Sequence, residues 1–333
     1  MQEFSDEDTI GDIHLSNKNG IQCRLSNFGA RILGIQVPLP DEKRDIVVSL
    51  INKKDIEINP YFGAIVGRVA GRIRSGKATI DGKEYHFEQN EGTQTLHGGR
   101  HNFSNQFWKI RHCDDSRVTF SLTSPNGDSG FPGNVFVEVT YELTDANQLL
   151  INYQAAADQA TLFNPTNHVF FNLDGDATHS VAGHSLQINA DSFLPLDNYN
   201  LPLRKKAVDG TIFDFKSEKT LGTILSSKHP QVEINKGINH SFLLRKSSPQ
   251  LRLTSKDKKI TVEMTTSQSA VVVYTTGSSL IDSETNSGSL GFSGAIALEA
   301  QMPPDTENSQ ENSKVTLQPG TEYHAQTIYK IKY

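Results

Sequence analysis

The sequence predicts an all-β protein built as a large antiparallel sandwich. Apolar residues alternate with polar ones through two consecutive runs, 135–143 and 149–157, so every second side chain would face a core. Long segments with helical spacing are nearly absent, and 25 glycines and 13 prolines separate the short apolar runs. This combination is typical of a large antiparallel β-sandwich.

The two alternating runs predict a hairpin. Residues 144–148 separate them, and Asp145 and Asn147 in that segment adopt turn geometry at little cost. Farther along the chain, 260–264 alternates again and 271–274 is fully apolar, so both are predicted strands. We expect 303–314, which is polar, to be a surface loop before a closing strand at 323–333. No boundary between domains is visible.

Composition excludes several classes of function. The chain of 333 residues carries 32 Lys+Arg and 38 Asp+Glu, a net charge of -6, and has no basic block that would bind nucleic acid. No run approaches the roughly 18 apolar residues that span a membrane. The N-terminus, Met1 to Asp6, is acidic and unlike a signal peptide, so we expect a cytoplasmic protein. Cys23 and Cys113 are too few for a disulfide framework and are expected to be buried free thiols.

Three residues could make an acid/base site. His168 lies in a strand-like apolar run that also carries amide side chains, His97 lies in a Leu-His-Gly-Gly turn, and Glu299 is the one carboxylate of the apolar run 295–301. An imidazole and a carboxylate supply acid and base near neutral pH when their surroundings separate their pKa values. Taken singly, His168 is better explained as a hydrogen-bonded core histidine and Glu299 as half of an ion pair. A neutral sugar would suit such a site.

Nine stretches resemble the aldose 1-epimerase (galactose mutarotase) family, and they occur in the family's order along nearly the whole chain. They are NFGARI (27–32), GAIVGRVAGRI (63–73), LHGG (96–99) with Trp108 downstream, GFPG (130–133), TNH (166–168), FNL (171–173), DGTIFDF (209–215), YT (274–275) and LEAQ (298–301).

The resemblance implies a single domain over 1–333, a β-supersandwich with a cleft for a monosaccharide on one curved sheet, and neither a metal nor another cofactor. It implies that Glu299 is the general base at the anomeric hydroxyl and that His168 is the general acid at the ring oxygen. By the same resemblance, His97 holds or polarises the ring oxygen. Arg68 resembles the arginine that grips sugar hydroxyls, and Asn239 occupies a substrate-binding position.

Two positions depart from the family pattern. Gly71 stands where the family's Ala-Asn-Arg-Ile motif has asparagine, and Asn239 stands where its Asp-His-Asn-Phe motif has aspartate. An aspartate accepts two charge-assisted hydrogen bonds, whereas an asparagine offers one acceptor and one donor group. We therefore expect anomer interconversion with a weakened or altered sugar preference.

Three other functions stay open at this point. A glycoside hydrolase needs two carboxylates roughly 5 to 9.5 Å apart, and the neutral Asn239 argues against it. A non-catalytic carbohydrate-binding protein is the second, and an epimerase for a phosphorylated hexose is the third. Arg72 and Arg74 could serve the third, although we expect both to make structural ion pairs. The sequence leaves the preferred aldose and the oligomeric state open.

Overall fold

Strands dominate residues 11–277 and 280–333, which are the part of the chain that the computed structural model describes. The acidic N-terminal run Met1 to Asp6 lies outside these residues. The first strands are β1 (Asp12–Ser16), β2 (Gln22–Ser26), β3 (Arg31–Pro38), β4 (Lys43–Asp45), β5 (Val47–Val48), β6 (Ile65–Val66), β7 (Arg72–Ile73), β8 (Lys77–Ile80), β9 (Lys83–His86), β10 (Thr95–Leu96), β11 (Lys109–Cys113), β12 (Arg117–Ser124), β13 (Val135–Leu143), β14 (Gln148–Ala157) and β15 (Thr161–Leu162).

The second half of the chain continues in the same way. Its strands are β16 (Thr166–Asn167), β17 (Phe170–Phe171), β18 (Ser185–Ile188), β19 (Ala190–Leu194), β20 (Lys206–Ala207), β21 (Lys219–Thr220), β22 (Asn239–Leu244), β23 (Leu251–Thr254), β24 (Thr261–Thr266), β25 (Ala270–Thr275), β26 (Glu284–Thr285), β27 (Gly288–Ser289), β28 (Ile296–Gln301), β29 (Thr316–Leu317) and β30 (Glu322–Lys332). The α-helices are short: α1 (Lys53–Ile58), α2 (Gly222–Leu225) and α3 (Pro230–Glu233). None of the described helices is long and apolar enough to cross a membrane.

Two large antiparallel sheets organise these strands. One has nine strands in the order β11-β12-β13-β14-β30-β24-β23-β18-β21, and the other has seven in the order β20-β19-β22-β25-β28-β17-β5. A four-stranded sheet, β1-β2-β3-β4, accompanies them. Apolar side chains from all three sheets form one continuous core, which includes the buried Trp108. The predicted all-β antiparallel architecture is confirmed.

The predicted hairpin forms between β13 and β14. The register pairs Val135 with Ala157 and Leu143 with Leu149, and the odd-numbered side chains of β13 are buried. In the turn the amide of Thr144 donates to the carbonyl of Gln148 over 2.9 Å. The predicted strands at 260–264 and 271–274 appear as β24 and β25, and the closing strand appears as β30.

Two predictions needed correction. His168 does not lie in a strand, because the chain leaves β16, which pairs with β6, and then enters the seven-stranded sheet as β17. The histidine occupies the connection between the two, where its backbone amide donates to the carbonyl of Ala64 over 2.8 Å. Of the two free thiols, Cys23 is buried as expected, but Cys113 near the edge of the nine-stranded sheet is only half-buried.

The alternation of β28 places its polar side chains away from the core. Ile296, Leu298 and Ala300 pack into the main core. Because successive side chains of a strand point to opposite faces, Glu299 and Gln301 emerge on the other side of the seven-stranded sheet. That face carries a polar cavity lined by Glu299 and Gln301.

Candidate active site

A cavity of about 310 Å³ lies on the outer face of the seven-stranded sheet. Its floor is formed by adjacent strands, with Ser241 of β22, Val272 of β25 and Glu299 of β28 directly opposite one another in the registers. Asn239 and Tyr274 form the next row in the same way. The volume suits a small ligand such as one sugar ring.

Loops and the short strands β7 and β10, from distant parts of the chain, form the walls. They contribute Asn59, Tyr61, Gly71, Arg72, Glu91, Leu96, His97, His168, Leu196, Asn200, Pro202, Asn235 and Pro304. Four of the five site residues that we predicted from the sequence therefore line a single cavity: His97, His168, Asn239 and Glu299.

His168 and Glu299 lie next to each other in the cavity. Nε2 of His168 lies 3.5 Å from Oε1 of Glu299, and both side chains are about 5% exposed. The imidazole packs against the ring of Phe170, with centroids 4.9 Å apart, and Tyr61 stacks on it at 6.1 Å. These contacts hold the ring so that one nitrogen faces the carboxylate.

Burial pushes the pKa values of this pair toward their neutral forms. It raises the pKa of Glu299 to about 8, against a smaller opposing effect of Arg72. Burial also lowers the pKa of His168 to about 4. Near neutral pH the pair therefore holds one proton, which resides on Glu299.

His97 lies beside His168 in a strained turn. Its φ is +51°, and its ring meets that of His168 edge-on with centroids 5.2 Å apart. The pKa of His97 lies well below its usual value because the ring is buried and because His168 and Arg72 repel a further positive charge. The ring is therefore neutral near pH 7.

Arg68 is placed differently from our expectation. It does not line the cavity, and its guanidinium donates to five protein oxygens, those of Ser124 (two), Pro125, Pro132 and Thr161, at 2.8 to 3.2 Å. All five donors of an arginine are then used, so none is left for a sugar. Burial lowers the pKa of Arg68 to about 10. Its position fits a structural clamp between loops.

Arg72 is the arginine in the cavity wall. It binds Glu91 through two hydrogen bonds of 2.5 and 2.7 Å, and both residues line the cavity. Arg74 instead pairs with Asp305 outside it. We expected ion pairing for Arg72, and it occurs, but the position of this residue at the cavity was missed. The sequence did hold an indication of this position, because Arg72 belongs to the stretch 63–73 that resembles the family.

Asn239 ends a row of three amides along one wall. Its Nδ2 contacts Oδ1 of Asn235 at 3.3 Å, and Nδ2 of Asn235 contacts Oδ1 of Asn200 at 2.8 Å. Nothing in the sequence pattern indicated Asn200 or Asn235, because both lie in loops that approach β22 only in the folded chain.

The cluster of His97, His168 and Glu299 has the residue types of a metal site, since one ligand atom of each lies within 4.8 Å of the others. The hydrogen bonding of His97 opposes that use. The amide of Gly71 donates to Nδ1 of His97 over 3.1 Å, so Nδ1 is bare and Nε2 carries the proton. A metal-binding histidine needs the reverse, a bare nitrogen toward the ion and an N–H toward an acceptor.

Comparisons with known proteins agree with this geometry. The sequence profile of the family described as aldose 1-epimerase matches residues 11–330. The aldose 1-epimerase of Haemophilus influenzae is 38% identical over 328 residues, covering 96% of this chain and 95% of its own. The galactose mutarotase of Homo sapiens is 37% identical over 325 residues, covering 93% and 91%.

The fold is also similar to that of solved structures. The aldose epimerase homologue from C. elegans superposes with a TM-score of 0.89 at 30% identity, covering 98% of this chain and 99% of that one. The galactose 1-epimerase from Lactobacillus acidophilus has a TM-score of 0.86, also at 30% identity, covering 99% and 97%.

Proposed function

The chain belongs to the aldose 1-epimerase family, and we propose that Glu299 and His168 carry the proton transfers by which it interconverts the α and β anomers of a free aldose. The observation that supports this most strongly is the 3.5 Å approach of Nε2 of His168 to Oε1 of Glu299 on the floor of one cavity. Ring opening requires one proton to leave the anomeric hydroxyl and another to reach the ring oxygen. Two adjacent groups that hold one proton between them can serve both needs.

The reaction follows from these positions. Glu299 removes the proton from the hydroxyl at C1 while His168 delivers a proton to the ring oxygen, and the bond between C1 and that oxygen breaks to give the open-chain aldehyde. Rotation about the bond between C1 and C2 presents the other face of the aldehyde. Both proton transfers then run in reverse, and the ring closes as the opposite anomer.

Substrate binding must first move the shared proton from Glu299 to His168. A hydroxyl that donates to the carboxylate stabilises its ionised form, and a ring oxygen that accepts from the imidazolium stabilises the charged histidine. The sugar thus favours the ionic pair that burial alone disfavours. Because the pair holds one proton in both states, the transfer needs no exchange with bulk water.

Charge in the cavity favours a neutral sugar over a phosphorylated one. Among the described residues that line it, Arg72 is the only cationic side chain apart from the histidines, and Glu91 occupies it with two hydrogen bonds. A phosphate group would meet no arginine or lysine there that lacks an acidic partner, whereas sugar hydroxyls would find Asn239, Asn235 and the N–H groups of Arg72 that Glu91 does not use.

The remaining assignments extend this proposal. Asn239 binds a sugar hydroxyl at the end of the row of three amides, and Arg72 takes the binding role first expected of Arg68. Residues 1–333 form one domain, a proposal supported by strands of the two large sheets interleaving along the chain. The family resemblance implies an enzyme that needs no cofactor, and we propose that it is cytoplasmic.

Polarimetry of the full-length protein tests the activity. Freshly dissolved α-D-galactose and α-D-glucose, together with a panel of other aldoses, should reach their equilibrium rotation faster with the enzyme than in buffer. The enzyme should accelerate the mutarotation of glucose 6-phosphate less than that of glucose. Rates equal to those of buffer for every free aldose would contradict the proposal.

A further inference from the structure

Hydrogen bonds fasten the turn that carries Glu91. The amide of Gln94 donates to the carbonyl of Glu91 over 2.9 Å, and the side chain of Gln94 accepts from the amide of Ser75 over 2.7 Å. One residue before Glu91, the side chain of Asn90 exchanges two hydrogen bonds with the backbone of Leu96, at 2.7 and 3.0 Å. These bonds tie the turn to the chain around β7 and β10, so the backbone of Glu91 has a fixed place beside both strands.

The carboxylate of Glu91 binds one edge of the Arg72 guanidinium. Its oxygens accept from Nε over 2.5 Å and from Nη2 over 2.7 Å. Two bonds along one edge fix the plane of the guanidinium as well as its position. Among the described residues no partner binds Nη1, and this nitrogen is not enclosed by the protein.

The N–H groups that Glu91 leaves free lie at the end of the guanidinium. Nη1 keeps both of its N–H groups and Nη2 keeps one, and the outer N–H of each nitrogen points in the same direction. Two parallel donors suit two neighbouring oxygens, an arrangement that hydroxyls on adjacent carbons of a sugar provide. Arg72 and Glu91 both line the cavity, so this end of the guanidinium is available to a sugar bound there.

Pairing with Glu91 also orders Arg72 before a ligand arrives. The side chain of Arg72 is 16% exposed and that of Glu91 is 40% exposed. An arginine without a partner at such a place would sample several rotamers, and each binding event would have to order it. Because the ion pair holds one conformation in the free protein, less side-chain entropy is lost when the sugar binds.

We propose that Glu91 is a positioning residue that holds the free end of Arg72 toward two adjacent sugar hydroxyls and so favours substrates that carry both. The proposal rests on the proposed function, because it explains how one residue of that site is oriented for its sugar. Glu91 acts through Arg72 and makes no contact with the sugar itself.

A double-mutant cycle on KM tests whether Glu91 acts through Arg72. In the otherwise unchanged protein, Glu91→Ala should raise KM for galactose about three- to fivefold and leave kcat within about twofold, because the acid and the base remain. In Arg72→Ala, which has no guanidinium to position, Glu91→Ala should change KM by less than about 1.5-fold. Glu84→Ala, at an exposed carboxylate that pairs with His86 outside the cavity, is the matched control and should change neither constant.

Two results of this cycle overturn the proposal. An equal rise in KM with and without Arg72 would mean that Glu91 contacts the sugar directly or supports the fold. An unchanged KM for Glu91→Ala in the otherwise unchanged protein would mean that Arg72 needs no partner to bind the sugar.

Deoxy sugars test the pair of hydroxyls. The 2-, 3-, 4- and 6-deoxy forms of galactose each lack one hydroxyl. For at least one of them, the rise in KM caused by Glu91→Ala should shrink to less than about twofold, because the end of Arg72 then has one hydroxyl left to bind. The same rise for galactose and for all four deoxy sugars would overturn the preference for adjacent hydroxyls.

The ion pair can be observed without measuring activity. In the ¹⁵N-arginine-labelled full chain, Nε–H of Arg72 should give a signal shifted downfield by its bond to a carboxylate, and Glu91→Ala should move this signal to the position of an exposed arginine. A signal that Glu91→Ala leaves in place overturns the proposal. Failure of the proposed function is distinguishable, because a protein that turns over no aldose can still show this signal and its loss.

Discussion

Nε2 of His168 lies 3.5 Å from Oε1 of Glu299, although the two residues reach the cavity from different loops and strands. Burial lowers the pKa of His168 to about 4 and raises that of Glu299 to about 8, so the Glu299 carboxylate binds a proton more strongly than the imidazole does. The pair then contains a single proton over a wide range of pH. This shared proton is the basis of the proposed mechanism.

The first prediction concerns the pH dependence of kcat/KM, which reports the free enzyme. We expect a plateau between about pH 4 and about pH 8. Below it, His168 gains a proton while Glu299 keeps its own, so no base is left. Above it, Glu299 loses the only proton, so no acid is left. Polarimetric rates corrected for spontaneous mutarotation at each pH would reveal the profile, and a single rise through pH 6.5 to a maximum above pH 9 would count against it.

The second prediction separates Arg72 from Arg68. We expect Arg72→Lys to raise KM roughly tenfold through loss of a charge-assisted hydrogen bond worth about 1.5 kcal/mol, with a small effect on stability. Arg68→Lys should instead lower the free energy of unfolding by about 1 to 3 kcal/mol with KM nearly unchanged, because carbonyl groups lose their buried donor.

Arg74→Lys is the matched control for both arginines, since Arg74 is half-exposed and pairs with Asp305 outside the cavity. Urea unfolding and steady-state kinetics on the three variants give the two readouts. A large rise in KM for Arg68→Lys and none for Arg72→Lys would reverse our assignment.

The third prediction concerns Asn239→Asp. The new carboxylate accepts stronger hydrogen bonds from sugar hydroxyls, so KM for galactose should fall about fivefold, equivalent to roughly 1 kcal/mol. An aspartate cannot donate to Asn235. The side-chain amides of Asn235 and Asn200 must therefore rotate by half a turn, so that each donates toward position 239. Asn235→Ala would remove that compensation and serves as the comparison. An unchanged or higher KM for Asn239→Asp would show that this position does not bind the hydroxyl.

The fourth prediction concerns Glu307, whose buried carboxylate has no hydrogen bond to another residue in the described part of the chain. Burial raises its pKa to about 8. Between the unfolded value near 4.5 and this folded value, only the unfolded chain releases the proton, so stability falls as pH rises. As pH rises across that window, the free energy of unfolding of Glu307→Gln should increase relative to that of the wild type by up to roughly 1.4 kcal/mol per pH unit.

Chemical unfolding at several pH values between 4.5 and 8 provides the comparison for Glu307→Gln. Glu299 contributes a slope of the same sign to both proteins, so the difference between them isolates Glu307. Glu311→Gln, at an exposed carboxylate of the same loop, should show no such trend. A difference that is constant with pH would mean that Glu307 ionises freely in the folded protein.

Local patterns were sufficient to predict the strands but not all of the site. The hairpin of β13 and β14 follows from alternation and turn residues that are close in sequence, and the structure confirms it. The same reasoning failed for His168, because the chain passes from one sheet to another at this residue. The apolar character of the run does not indicate such a change of sheet. Resemblance placed His97, Asn239 and Glu299 at positions that the structure brings to one cavity.

Arg68 and Arg72 show why the remainder was missed. They are four residues apart in one matched stretch, yet one guanidinium is enclosed by loop carbonyls and the other faces the cavity. The positions of residues 124–132 and of Glu91 in the folded chain determine which of the two arginines can contact a ligand. That information is distributed over distant segments and is absent from the spacing of the two arginines.

The most direct test of the central claim is the effect of Glu299→Gln on turnover and on sugar binding, measured on the same preparation. Glutamine keeps the shape of the side chain but cannot take a proton, so kcat for α-D-galactose should fall by about 10² to 10⁴. Calorimetry should find that the sugar still binds within about tenfold of the wild-type affinity, since the other hydrogen-bonding residues remain. Turnover close to wild type in a folded Glu299→Gln protein would contradict the account.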